Sequence, residues 1–374
     1  MADVVGCKPD HVSVEIQNKE INVFAKRKLI AISIAIAATF NLTACDPPMP
    51  PEVAAQILEQ SYTCEPGTAV AKFPADMDDP AVGWADSLFS SCVDPLPTME
   101  LQIAEANDFD LLVNAYPSDI CKPAFTLPFA IEAADFVFQL ADSSSLNLSA
   151  KSMAAILNGE ITNWADPRIA KENDGSIFPD LAITVRKKAD ELALSSLLGW
   201  LANSGQEVSS ARFSAVADLG YEPLVEGEIA IMPHSQVMAN GLYSASLITG
   251  KDHETGEVLV AVADTVGISS GASQLAAIKH GDELTVKLDP SIPPRAQEGL
   301  DVAAPPYQAI YPVNLYACGE DSLVKRAISL FLLRLDSQGA LAASNYNQLP
   351  EQIRFEALDI ARRGLPTPAP LPVD

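Results

Sequence analysis

Residues 183–202 read ITVRKKADELALSSLLGWLA, a short β-branched run followed by an apolar helical period. A strand that ends at a helix start is a ready anion site, because the first turn leaves N–H groups unpaired and the helix dipole favours negative charge there. Arg186, Lys187 and Lys188 would draw an anion to that turn. Asp190 and Glu191, however, place carboxylates where the anion would sit, and no glycine lets a ligand approach the backbone. Carboxylates also favour a helix N-terminus on their own account, so the same residues read as a capped helix with solvated lysines beside it.

Other reactive residue types form no catalytic set. His234, in IMPHSQ, stands at a strand-to-helix turn that a ligand could reach, although a helix cap or a surface residue is the ordinary reading of such a histidine. GISSGAS, residues 267–273, reads as a flexible turn rather than a nucleophile site. No Ser-His-Asp ordering, nucleophile elbow, phosphate loop or HExxH occurs, so no enzyme is expected. With 4 histidines and no CxxC pair, neither a metal nor a cofactor is expected.

The elements that would position these residues alternate between the two periods. Asp79-Pro80 opens a helix through residue 92, with Val82, Ala85 and Phe89 on its apolar face. MELQIAEA, FDLLVNAYPSD and FTLPFAIEAADFVFQL read as strands. SAKSMAAILNG reads as a helix capped by Ser149 and stopped at Asn158-Gly159. After PDLAITVRKK come a helix over 189–203, the strand EGEIAIM and a helix in HSQVMANGL. AIYPVNLYAC is a further strand, and one or two helices follow it with Leu323, Ala327, Leu330 and Phe331 inward. This alternation predicts α/β layers with largely parallel sheets.

With 374 residues, 48% hydrophobic and 20% charged, the chain can bury a core of two lobes or domains. Its 24 basic and 49 acidic residues give a net charge of −25, which repels nucleic acid, so no nucleic-acid partner is expected. Residues 25–44 combine the basic Lys26, Arg27 and Lys28 with an apolar run ending in Leu42-Thr43-Ala44-Cys45. This resembles a bacterial lipoprotein signal, which implies that Cys45 is lipidated and that the chain lies on the extracytoplasmic face of the cell membrane. The alternative is an uncleaved anchor, for which the run is shorter than the ~20 residues of a membrane span. Residues 45–51 are a proline-rich tether. Residues 1–24 precede the point where a signal should begin and read as an extension upstream of a true start at Val23. In an exported chain, Cys64, Cys92, Cys121 and Cys318 make two disulfides with three possible connectivities.

Residues 146–173 resemble the phosphate-binding proteins of high-affinity phosphate ABC transporters. The likeness rests on Leu157, Gly159, Ile161, Trp164, Asp166, Pro167, Ile169 and Ala170, with weaker echoes in VEGEIAIM, YPVNLY and NYNQLP. Trp164 is expected to pack under the Asp166-Pro167 turn. The resemblance implies a two-lobed α/β periplasmic-binding-protein fold of type II with hinge-crossing segments. Lobe 1 would combine 52–121 with 308–360, lobe 2 would hold 122–307, and 361–374 would be a proline-rich tail. It also implies an ABC permease partner and a small anionic solute such as phosphate. Of the three connectivities, Cys64–Cys92 and Cys121–Cys318 are the expected pairs, the latter because the resemblance places the strands before both cysteines together in the crossing region.

The family's ligand residues carry over only in part. Arg186 matches its phosphate-pairing arginine, and Ser118 and Asp119 match the Ser-Asp of the opposite lobe. Lys188 stands where the family has an aspartate, and Asp190, Glu191 and Leu192 stand where it has Ser-Gly-Thr donors. Each charge-assisted bond lost is worth roughly 1.5–3 kcal/mol against the about 8 kcal/mol of a micromolar complex. The expectation is a solute-binding lipoprotein with a degenerate phosphate site, or a ligand-free interaction or sensing module on the same fold.

Overall fold

The computed structural model describes residues 63–104, 108–116, 121–217, 219–252, 255–296 and 302–366. The export segment, Cys45, the tether, Ser118, Asp119 and the tail beyond residue 366 lie outside the described residues. Among the described residues, no helix is long and apolar enough to cross a membrane.

Strand β1 (Gly67–Lys72) leads through helix α1 (Asp78–Ser91) to β2 (Met99–Ile103), which pairs with it in parallel, and β3 (Leu111–Asn114) pairs in parallel on β1's other edge. The buried face of α1 is Ala81, Trp84 and Leu88, not the expected Val82, Ala85 and Phe89; Val82 and Phe89 are 54% and 58% exposed. Trp84 sets this rotation. Its indole donates to the Ser337 carbonyl at 2.9 Å and its ring lies 5.4 and 5.6 Å from those of Phe73 and Phe129. At 100° per residue, positions 82 and 89 then fall on the far side.

Strand β4 (Pro123–Phe138) is 16 residues long and buried from Phe125 onward. Such a strand shows no polar alternation because both its faces are covered. Its first part pairs antiparallel with a strand near the C-terminus, from Pro123 opposite Cys318 to Ala133 opposite Ile310. Its last part pairs with a different strand, from Ala134 opposite Pro233 to Phe138 opposite Ile229. One strand thus serves two sheets and changes partners between Ala133 and Ala134.

Beyond this crossing come β5 (Asn147–Ser149), α2 (Ala150–Asn158) and α3 (Pro167–Glu172). The local signals are met: Ser149 accepts from the Ser152 amide at 3.2 Å, and Gly159 closes α2 at φ 76°. Asp166 caps α3 ahead of Pro167, and Trp164 is fully buried against Phe138 with its indole on the Gly227 carbonyl. Then follow β6 (Thr184–Val185), β7 (Lys188–Asp190), α4 (Glu191–Asn203), β8 (Ser214–Val216), β9 (Glu228–Pro233), α5 (His234–Ala239), β10 (Tyr243–Ser244), β11 (Ser246–Lys251) and β12 (Val258–Ala261). β9 pairs with both β4 and β6, while β5, β11 and β12 form a separate sheet.

GISSGAS is helical rather than a turn: it lies in α6 (Thr265–Ala272), capped by Asp264 on the Gly267 amide at 2.7 Å. Its glycines serve packing, since a Cβ on Gly267 or Gly271 would collide with the carbonyl oxygens of Val262 and Tyr307. β13 (Leu275–His280) and β14 (Glu283–Leu288) form a hairpin that joins β4 at Thr126. Residues 123–133 and 275–288 therefore belong to the sheet of β1–β3, although the expected second lobe of 122–307 includes them. β15 (Ile310–Cys318), the partner of β4, is followed by α7 (Leu323–Leu332), α8 (Leu335–Gly339) and α9 (Glu351–Ala361). Ala327, Leu330 and Phe331 are buried, whereas Leu323 is half-exposed.

The architecture is mixed α/β. Parallel pairs come from the strand-helix-strand units, but the crossing strands β4 and β15 run antiparallel to each other, which corrects the expectation of largely parallel sheets. Cys64–Cys92 and Cys121–Cys318 are both disulfide-bonded. Residue 361 ends α9 rather than opening a tail, and the described ends of the chain meet: the Thr63 hydroxyl donates to the Pro366 carbonyl at 3.4 Å.

Candidate functional site

Polar side chains gather where β4 changes partners. Glu132 of β4 faces Tyr311 of β15 across the antiparallel ladder, so both project from the same side of the sheet. Glu132 is buried; its Oε1 accepts from the Ala133 and Ser235 amides at 2.8 and 3.3 Å, and its Oε2 has no partner. Burial pushes this carboxyl up to about 8 against the opposing pull of Ser235. Its protonated form is therefore favoured at neutral pH. Tyr311 and Tyr346 are held well above the usual phenol value, first by burial and then by the negative field of Glu132. Tyr346 donates to Asp76 at 2.9 Å.

The start of α4 completes the cluster. Asp190 is buried, and its Oδ1 accepts from the Leu192 and Ala193 amides at 3.0 Å each. Its Oδ2 accepts from the Tyr116 hydroxyl at 2.5 Å. Tyr116 follows β3, so this bond ties the β1–β3 sheet to the helix on the other side of the crossing. A helix start that could hold a dissolved anion holds the chain's own carboxylate.

The basic residues before α4 are committed elsewhere. Arg186 makes a bidentate pair with Glu228 at 3.0 and 2.7 Å and donates to the carbonyls of Glu222 and Pro223 at 2.8 and 2.9 Å. Glu228 is held below the usual carboxylate range, the Arg186 bonds outweighing the effect of burial. Lys188 pairs with Glu222 at 3.1 Å in an exposed setting. His234 is neither a surface residue nor a free ligand: it is buried with Nδ1 2.9 Å from Asp135. Burial lowers its imidazole, but the hydrogen bond and charge of Asp135 outweigh this and raise it.

Sequence reading missed Glu132, Tyr311, Tyr346 and Tyr116. One signal was available: Glu132 and Asp135 interrupt the otherwise apolar FTLPFAIEAADFVF, and carboxylates are almost never fully buried without a partner or a role. The tyrosines carry no local signal, because only the fold brings them together.

These polar groups thus gather where one strand of a mixed α/β body passes from one set of pairing strands to another. The chain is similar to phosphate-binding protein PstS 3 of Mycobacterium tuberculosis (strain ATCC 25618 / H37Rv), with 24% identity over 252 residues, 62% of this chain and 65% of the relative. It thus spans slightly under two thirds of that relative's length. A stretch of 74 residues is 34% identical to phosphate-binding protein PstS 2 of the same organism and covers 20% of each chain. No family profile matches the chain. Solved structures similar to it include a high affinity periplasmic phosphate-binding protein, with TM-score 0.45, 12% identity and coverage of 78% and 92%. Another is an ABC-type phosphate transport receptor from Vibrio cholerae, with TM-score 0.37, 12% identity and coverage of 75% and 99%. Over part of its length, the chain is thus similar to proteins named for binding phosphate.

Proposed function

We propose that this chain is an extracytoplasmic solute-binding protein of the phosphate-transporter type, anchored by a lipid on Cys45 and serving an ABC permease, with a cleft no longer built for phosphate. Ser118, Asp119, Arg186 and Lys188 remain its candidate ligand residues. The observation that carries the reading is Asp190: its carboxylate takes the second and third amides of α4, Leu192 and Ala193, and the Tyr116 hydroxyl. Phosphate would have to displace a tethered anion and then share the turn with Glu191.

Calorimetry on the mature chain tests this. Phosphate should bind in the millimolar range or not at all. Replacing Lys188, Ala189, Asp190, Glu191 and Leu192 by Asp, Gly, Ser, Gly and Thr should tighten it. Micromolar binding by the parent, abolished in Arg186→Ala, would overturn the reading. The anchor is checked separately, because Cys45→Ala should block incorporation of labelled fatty acid.

A second reading, a ligand-free interaction or sensing module, is favoured by the Tyr116–Asp190 bond, which joins the two sides of the crossing directly. Silence toward phosphate, sulfate, phosphonates and small organic anions alike would select it.

A further inference from the structure

The basic triplet before α4 divides by strand geometry. Side chains of consecutive extended residues point to opposite sides. Arg186 and Lys188 turn toward Glu228 and Glu222. Lys187 instead lines a cavity of about 230 Å³ on the other side, bounded by the end of α2, the loop after it and β6. Ile156 and Ile161 are buried in its wall, and Ile183 and Phe213 are half-buried there. Arg212 lines the same cavity and donates from Nη1 to the Asn158 carbonyl at 2.6 Å. β6 donates its Thr184 and Arg186 amides to the Gly227 and Ile229 carbonyls, and Val185 between them lines the cavity.

Charge makes this recess unusual in its chain. Acidic residues outnumber basic ones 49 to 24, yet the cavity is lined by two cations and no carboxylate. Among the described residues, neither Lys187 nor Arg212 has a carboxylate partner. Two cations beside an apolar wall leave a positive potential that an anion would neutralise, and the low-polarity wall strengthens that attraction. An inorganic anion would leave the wall unused, and a neutral apolar solute would leave the cations unpaired. The volume lies below the roughly 300–1,000 Å³ of sites for drug-sized ligands, which restricts the occupant to a few carbon atoms beyond its charged group.

We propose that this recess is a binding site for a small organic carboxylate with a branched or aromatic body, its carboxylate held by Lys187 and Arg212 and its body against Ile161, Ile183 and Phe213. The site is separate from the Asp190 cluster and does not depend on what that cluster binds.

Benzoate and isovalerate are the probes, with benzamide and inorganic phosphate as controls, measured by calorimetry and ligand-detected NMR on the disulfide-bonded mature chain. Benzoate should bind about tenfold or more tighter than benzamide, the worth of one charge-assisted contact. Lys187→Glu should cut benzoate binding by a similar factor, Lys187→Arg should retain it, and Phe213→Ala should weaken it. Because Lys187 is exposed and unpaired, Lys187→Glu should keep the parental melting temperature, so a loss of binding would not reflect unfolding. Equal binding of benzamide, equal competition by phosphate, unchanged benzoate binding in Lys187→Glu, or no binding of either carboxylate at millimolar concentration would each overturn the proposal.

Discussion

Replacing Asp190 tests whether the chain's own carboxylate has become part of its architecture. In Asp190→Ala, two helix amides lose their acceptor and Tyr116 loses its charged partner. Loss of an N-cap costs about 0.5–2 kcal/mol. A hydrogen bond to a charged group adds about 1.5–3 kcal/mol. The expected total is about 2–5 kcal/mol, a fall in melting temperature of roughly 4–10 °C for a domain of this size. Asp190→Asn should cost much less, because asparagine caps a helix as well as aspartate does and only the charge is lost. Tyr116→Phe removes the cross-sheet bond and spares the cap, so combining it with Asp190→Ala should cost less than the two single effects added together. Thermal unfolding by circular dichroism under non-reducing conditions measures all four variants. If Asp190→Ala melts with the parent, or Asp190→Asn falls as far as alanine, the carboxylate is not acting as a cap. If the two single effects simply add, the bond across the crossing contributes nothing.

Glu132, raised to about 8, and His234, also raised, both hold protons more tightly folded than unfolded. Stability should therefore decline as pH climbs from the ordinary carboxylate range through about 8, with the His234 share lost as pH rises past its ordinary value. Urea midpoints across that range should show this, and Glu132→Gln should flatten the slope; an unchanged slope would clear Glu132 of the effect. The Cys121–Cys318 bridge spans a separation of 197 residues, so replacing both with alanine should cost roughly 5 kcal/mol on a chain-entropy estimate. Non-reducing peptide mapping that linked Cys64 to Cys318 would contradict the pairing. Gly271→Ala should destabilise by about 1–3 kcal/mol or more through collision with the Tyr307 carbonyl. Gly83→Ala on α1 has open space and should stabilise by about 0.5–1 kcal/mol, and denaturant melts that failed to separate the two would refute the packing argument.

What could be read in advance was what local chemistry decides. Ser149 and Gly159 bound α2 because a cap and a left-handed stop act within one turn. The rotation of α1 could not be read that way, since it depends on Trp84 reaching Ser337, 253 residues away in sequence. GISSGAS looked like a turn because its small residues suit one, yet the closeness of Val262 and Tyr307 makes small residues a requirement of helix packing there. The candidate site divides in the same way. Competition at the α4 start was visible in Asp190 and Glu191, but the engagement of Arg186 by Glu228 and of Asp190 by Tyr116 arises between segments far apart in the chain.

The contact between Thr63 and Pro366 bears on how this chain can be rewired. A short linker could join these positions, and the molecule could then be opened at an exposed turn such as Ser204-Gly205, giving a circular permutant with unchanged internal contacts. In such a permutant, β4 and β15 would reach the ribosome exit in the opposite order. Comparing its refolding rate with the parent's would show how far folding depends on the chain connection between the two crossing strands.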